Sequence, residues 1–193
     1  TSVVRDLNPL SIRQKFNDLG LEIKFLNRAL NNGSGELIEK AIHLSDCYLD
    51  EKKALLQERL KLGWYRDGHG DLHTRNIFLL SEPVVIDCIE FSEDFRQLDL
   101  LNELAFLCMD LDACGRQDLA ERFLDSYAQA YPLSFSDEEL KLLIYYKAYR
   151  ANVRAKVNSL RAQSAKTVAD RERPLKEAKK YLKLMSDYLL ALS

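Results

Sequence analysis

The sequence predicts a mainly α-helical fold with one small β-hairpin embedded in it. Three observations predict this. Chain breakers are scarce, with 7 glycines and 4 prolines in 193 residues, about half the usual shares. Apolar residues recur at helical spacing along most of the chain, and residues 76–89 switch to short β-prone runs. Helix-start signals, namely Asn8-Pro9, Asp99 and Ser136-Asp137-Glu138-Glu139, stand where several of the periodic stretches begin. With 47% hydrophobic residues, a chain of this length buries roughly 70% of its unfolded surface and needs no disulfide or metal to hold it.

Each element follows from local signals. Asn8 caps and Pro9 opens a first helix that Gly20 should end. Helical periodicity then covers 21–31 and 36–62, separated by the loop Asn31-Asn32-Gly33-Ser34-Gly35. Residues 76–80 and 84–89 read as the two strands of the hairpin, with Ser81-Glu82-Pro83 as the turn. Asp99 caps a helix over 100–113 that Gly115 closes, and a further helix covers about 116–130. The Ser136–Glu139 capping box opens a long helix to about 162. Pro174 sits in the first turn of a last helix ending near 191. The whole chain, 1–193, reads as a single lobe: helical over 1–62 and 99–193, with a functional loop and hairpin at 69–91.

Charge and cysteine content exclude several classes. A net charge of −2 is not that of a nucleic-acid binder. The charge is uneven: residues 137–193 carry +6, and the rest −8. Nine acidic residues between 82 and 112 face a lone base, Arg96. Such a block suggests a cation site or a face that pairs with the basic tail. No run of 18 apolar residues exists, so no span of a membrane is expected. Cys47, Cys88, Cys108 and Cys114 form no C-x-x-C pair and read as reduced, buried thiols of a cytoplasmic protein.

The chemistry gathers on the hairpin. The segment is His69-Gly70-Asp71-Leu72-His73-Thr74-Arg75-Asn76, then Ile-Phe-Leu-Leu, then Val-Val-Ile-Asp87. Phosphoryl transfer needs a carboxylate to orient the acceptor hydroxyl and take its proton, and oxygen ligands to hold Mg²⁺ on the nucleotide phosphates. Asp71 and Asn76 stand five apart, as do the base and the metal-binding Asn of kinase catalytic loops. Asp87 follows a hairpin strand, 16 residues beyond Asp71, and His69 stands two residues before Asp71.

His-Gly-Asp-Leu-His-x-x-Asn followed by Val-Ile-Asp resembles the aminoglycoside phosphotransferase and choline-kinase-like family of small-molecule kinases. The continuation from Ile86 through Glu90, Arg96, Asp99 and Asp110 is similar to a poorly characterised bacterial branch, often fused to an ATP-binding domain. The resemblance implies a protein-kinase-like C-terminal lobe that uses ATP and Mg²⁺ to phosphorylate a small hydroxyl compound. It implies Asp71 as catalytic base with His69 beside it, and Asn76 and Asp87 as magnesium ligands. Asp99 matches a residue that steadies the catalytic loop, and is equally a helix cap. Glu90 falls in the same segment as a substrate-side or structural residue.

No G-x-G-x-x-G turn and no lysine strand precede the loop, so the N-terminal lobe is absent from this sequence. Gly33-Ser34-Gly35 reads as an ordinary loop. The chain alone is therefore expected not to be a competent kinase. Its exposed lobe face is expected to be apolar and to favour a homodimer, a missing lobe or a fused domain as partner. Two other readings stay open: a non-catalytic kinase-like binding module, and a hydrolase using His69, Asp71, His73 and Asp87 on Zn or Fe.

The long helix carries Lys147, Arg150, Arg154 and Arg161 within about 60° of arc, flanked by apolar residues. This stripe should face carboxylates of the acidic block, or an anionic acceptor, rather than bulk water. Tyr145, Tyr146 and Tyr149 read as core and rim residues.

Overall fold

The computed structural model describes residues 2–30, 33–131 and 135–192. In chain order the helices are α1 (Ile12–Asn17), α2 (Ile23–Leu30), α3 (Ser34–Glu51) and α4 (Lys53–Lys61). Strands β1 (Tyr65–Asp67), β2 (Ile77–Leu79) and β3 (Pro83–Val85) follow, then α5 (Glu93–Arg96) and β4 (Gln97–Asp99). Helices α6 (Leu100–Ala113), α7 (Gln117–Ala130), α8 (Asp137–Ser164) and α9 (Val168–Leu190) complete the chain. The protein is mainly α, as expected, with two small antiparallel sheets. None of the described helices is long and apolar enough to cross a membrane.

The chain divides into two compact units. One is formed by residues 1–9 and 54–147, the other by 10–53 and 148–193. In the first unit, β2 and β3 pair in the register Ile77–Val85, Phe78–Val84, Leu79–Pro83. The pairs Tyr65–Asp99 and Asp67–Gln97 join β1 to β4, a second ribbon that the sequence pattern does not show. Its three-residue strands are too short to carry a period. The core of this unit is built on α6, whose Leu101, Leu104, Ala105, Phe106 and Met109 are buried together with Tyr65, Tyr145 and Tyr146. Asp99 caps α6 by accepting from the backbone N–H of Leu101 at 2.8 Å, and Gly115 ends it at φ 72°. Both signals were legible.

In the second unit, α1, α2, α3 and α9 bury Phe16, Leu26, Ile38, Leu49, Tyr181 and Met185. Several local expectations are corrected here. Gly20 does not end a helix. It lies in a 3-10 turn, Asp18–Glu22, that runs straight into α2. Gly33-Ser34-Gly35 is not a plain loop: Gly33 adopts φ 69° and α3 begins at Ser34. Asn31 and Asn32, the first part of that predicted loop, lie outside the described residues. The single helix predicted over 36–62 is two, because Lys52 leaves helical geometry at φ −93°, ψ 9°. In α9, Pro174 is not in the first turn. The helix starts earlier, where the Thr167 hydroxyl accepts from the backbone N–H of Asp170 at 3.1 Å.

The capping box at the start of α8 forms as expected, with Glu139 N–H on Ser136 Oγ at 3.3 Å and Ser136 N–H on Glu139 Oε2 at 3.1 Å. The thiols are free, but only Cys108 is buried. Cys47, Cys88 and Cys114 are exposed, which corrects the expectation that all four are inside.

Candidate functional site

The loop between β1 and β2 has no regular structure until a 3-10 turn at Thr74–Asn76. It is fixed instead by carboxylates rising from α6. Glu103 accepts from the backbone N–H of His69 at 2.9 Å and of Gly70 at 3.1 Å. Two turns further along, Asp110 accepts from both the backbone N–H and the hydroxyl of Thr74, at 3.0 and 2.5 Å. Residues 103 and 110 are seven apart, two helical turns, so both project from the same side. Gly70 meets a tight requirement. Its φ is 82°, and a Cβ there would lie 2.8 Å from the carbonyl oxygen of Phe95.

Asp71 and Asn76 meet across this loop. The Asn76 side chain donates Nδ2–H to the Asp71 carbonyl at 3.0 Å and lies 3.4 Å from Asp71 Oδ2. Its amide nitrogen is thereby used, and its Oδ1 is left as an oxygen donor. Asp71 is half-buried and Asn76 buried. His73 Nε2 lies 3.4 Å from Asp71 Oδ2, while the ring packs edge-on against Phe106 and accepts from the Arg75 N–H. His73 is thus a packing residue that also touches Asp71.

The hairpin returns the backbone on either side of Asp87 to the loop. The Ile86 N–H donates to the Asn76 carbonyl at 2.9 Å, and the Ile89 N–H to the His69 carbonyl at 3.1 Å. The His69 ring completes the closure, with Nε2 2.8 Å from the Ile86 carbonyl and Nδ1 3.3 Å from the Asp71 N–H. These two bonds require the neutral tautomer protonated on Nε2. Held at both sides, Asp87 adopts φ 62°, a left-handed conformation and the sole non-glycine residue so placed among those described. Its carboxylate is exposed and makes no hydrogen bond or ion pair with a described residue. Non-glycine residues held in this region cluster at functional sites. Arg96 supports the segment by pairing with Asp67 and donating to the Ile89 carbonyl at 3.1 Å.

Asp99 does not touch the loop through any of these bonds. It is 1% exposed and takes a two-pronged pair from Arg59, Nε at 2.7 Å and Nη2 at 2.9 Å, while Arg59 also reaches Glu139 at 2.5 Å. Burial opposes the Arg59 charge, but Asp99 raises its pKa above that of an ordinary arginine. Of the two readings for Asp99, the cap is the one its geometry matches. The loop-holding role belongs to Glu103 and Asp110. The signal that could have found them is two carboxylates, seven apart, in the largely apolar stretch Leu100–Leu111.

The acidic block therefore splits. Asp99, Glu103, Asp110 and Asp112 have partners, the last from Lys147 at 2.5 Å. Glu82, Asp87, Glu90 and Glu93 are exposed around the hairpin. In the basic stripe, Lys147 meets the acidic block as expected. Arg150 and Arg154 belong to the second unit and are buried, their guanidinium groups lying over the rings of Tyr149 and Tyr181 at 5.7 and 5.6 Å. Arg161 is exposed, so the stripe is not one continuous buried band. Tyr145, Tyr146 and Tyr149 are core residues.

Among the described residues, no three His, Cys, Asp or Glu side chains converge as a metal cluster. His69 and His73 spend their ring nitrogens on the loop itself. One face of the hairpin is apolar and open, with Phe78 49% exposed and Ile86 44%, and further along the chain Phe91 and Phe95 pack on each other at 6.2 Å.

No family model matches the chain, and no solved structure matches it. Its sequence is similar to uncharacterised proteins of Mycobacterium tuberculosis and Mycobacterium bovis, each 40% identical over 141 residues. The match takes in 70% of this chain and 27% of each relative, so the chain spans about a quarter of the length of these curated relatives.

Proposed function

We propose that the loop and hairpin form the phosphoryl-transfer site of a small-molecule kinase of the aminoglycoside-phosphotransferase and choline-kinase type. The donor is ATP with Mg²⁺, and the acceptor is a small hydroxyl compound. The observation that carries this reading is the bond from Ile86 N–H to the Asn76 carbonyl. It sets Asp87 beside Asn76, while Asn76 is itself bonded to Asp71. Residues 5 and 11 positions apart in sequence are thus linked through one side-chain bond, Asn76 to Asp71, and one backbone bond, Ile86 to Asn76.

In this reading Asp71 accepts the acceptor's hydroxyl proton as its oxygen bonds to the γ-phosphorus, and ADP leaves. His73 and Asn76 hold Asp71 in place, and His69 ties the hairpin to the loop as a positioning residue. Asn76 Oδ1 and the Asp87 carboxylate are hard oxygen donors of the kind Mg²⁺ prefers, and the ion would neutralise charge on the phosphates. Two protein ligands suffice for such an ion, because phosphates and water fill its remaining positions. The open apolar hairpin face, with Phe78 and Ile86, would lie under the nucleotide and the elements that cover it.

In the polypeptide that carries those covering elements, Asp71→Ala should lower kcat by roughly 10²–10⁴ and leave nucleotide affinity nearly unchanged. Near-normal turnover would overturn the assignment. The 193-residue chain by itself should turn over far below about 1 s⁻¹, since transfer of this kind depends on positioning from both sides of the phosphates.

A further inference from the structure

A second site lies in the same unit, on the other face of the hairpin. A cavity of about 840 Å³ opens there, within the range of small-molecule sites and far above the voids that close packing leaves. One side is a pleat of the ribbon, Ile77 and Leu79 of β2 with Val85 of β3, where Leu79 and Val85 stand open to solvent. Its floor is Leu104, Leu107 and Leu111, one stripe of α6. Helix α7 explains why the space is apolar and unfilled. It is amphipathic, with Leu119, Phe123 and Tyr127 spaced four apart, yet of its residues only Ala120 is buried. The apolar faces of α7 and of the hairpin are thus turned to a common space that neither fills. Asp71, Asn76 and Asp87 do not line it.

The wall chemistry selects the occupant. Ten of the eighteen lining residues are branched aliphatic and only Phe123 and Tyr127 carry benzene rings, which suits an alkyl chain better than a stacked heterocycle. Its polar residues are Arg66, His69, Thr74, Glu103 and Tyr127. Three of them are spoken for. The His69 ring bridges Ile86 and Asp71, Thr74 is bonded to Asp110, and Glu103 accepts from the His69 and Gly70 amides. The Arg66 guanidinium and the Tyr127 hydroxyl make no hydrogen bond or ion pair with a described residue, and they are close enough to influence each other electrostatically. Burial and the nearby Glu103 raise the Tyr127 pKa above its ordinary value, so the phenol stays a donor at neutral pH.

We propose that this cavity binds a single-chain fatty carboxylate, its alkyl tail between hairpin, α6 and α7 and its head on Arg66 and the Tyr127 hydroxyl. The Glu103 charge opposes an anion there. Its two backbone donors turn it toward the loop, and the spare guanidinium and phenol outnumber it at the head position.

The test is titration of the chain with decanoate, dodecanoate and dodecyltrimethylammonium below their micelle concentrations, followed by calorimetry and by amide shifts of α6 and α7. Saturable one-to-one binding of dodecanoate is expected, roughly tenfold tighter than decanoate for its two extra methylenes. Arg66→Gln should weaken carboxylate binding about tenfold or more, and Arg66→Lys should restore part of it. Leu119→Trp, at a half-buried wall position, should block the tail, with circular dichroism checking that the fold is kept. Absence of saturable binding by any alkyl probe would overturn the proposal. So would preference for the ammonium head, which would put Glu103 in charge, or an Arg66→Gln variant that binds dodecanoate as well as the parent.

Discussion

The floor of the loop and the hairpin arm that follows it draw on the same stretch of acidic sequence, and the structure uses the two in opposite ways. On the floor, Asp99, Glu103 and Asp110 are 1%, 8% and 4% exposed, and each has a hydrogen-bond donor waiting for it: Arg59, the His69 and Gly70 amides, Thr74. On the arm, Asp87 is exposed, takes no such donor, and is held in a backbone conformation that costs energy for any residue but glycine. A buried carboxylate must be paired or hydrogen-bonded to be tolerated at all. An exposed one on a strained turn contributes little to the fold. Carboxylates of the first kind hold the molecule together; those of the second are free to meet a ligand.

Mutation can break this contrast, starting where the effect is largest. Arg59→Met should cost about 3–5 kcal/mol in urea unfolding, because it strands the Asp99 carboxylate in the interior and loosens the cap of α6. Glu103→Gln keeps the volume but not the charge. It should cost about 1–3 kcal/mol and speed hydrogen exchange at the His69 and Gly70 amides while sparing those in the middle of α6. Asp87→Gly should change stability by less than about 1 kcal/mol, and in the favourable direction if relief of the left-handed strain outweighs the added chain entropy. An Asp87 variant as destabilising as Arg59→Met would erase the distinction between floor and arm.

The smallest effect concerns the thiols. Burial pushes the Cys108 thiol up to about 12, so at pH 8 it is protonated as well as inaccessible. A thiol reagent should therefore modify Cys47, Cys88 and Cys114 in the folded chain and reach Cys108 only after unfolding. Rapid labelling of Cys108 would mean that α6, the floor itself, opens readily.

What could be read from the sequence was what local chemistry decides. The Asp99 cap, the Gly115 stop and the Ser136–Glu139 box are each settled within a few residues, and they came out as expected. The hairpin was legible because β-prone apolar runs flank Ser81-Glu82-Pro83, although its strands are shorter than those runs suggested and Pro83 pairs with Leu79 in β3 instead of lying in the turn. The β1–β4 ribbon was not, because two three-residue strands gain their identity only by pairing across some thirty residues. Gly20 and Lys52 misled for a related reason. Whether a helix continues past a glycine or breaks at a lysine is set by what packs against it, and propensity is a weak prior there. For the site, the spacing singled out Asp71 and Asn76, which are hydrogen-bonded to each other, and Asp87, which follows the residue whose N–H meets the Asn76 carbonyl. The residues that hold the loop were missed, since carboxylates on an apolar helix reveal their partners only in three dimensions.

The most direct measurement of the central claim is paramagnetic broadening by Mn²⁺ in place of Mg²⁺. Amide spectra of the isotopically labelled chain would be recorded with Mn²⁺ and an adenine nucleotide, alongside the Asp87→Asn variant. Signals from Asp71, Asn76, Ile86 and Asp87 should broaden first, and Asp87→Asn should remove the selectivity while the spectrum stays that of a folded protein. Broadening centred on another acidic surface, or broadening at 71–87 that survives Asp87→Asn, would contradict the claim.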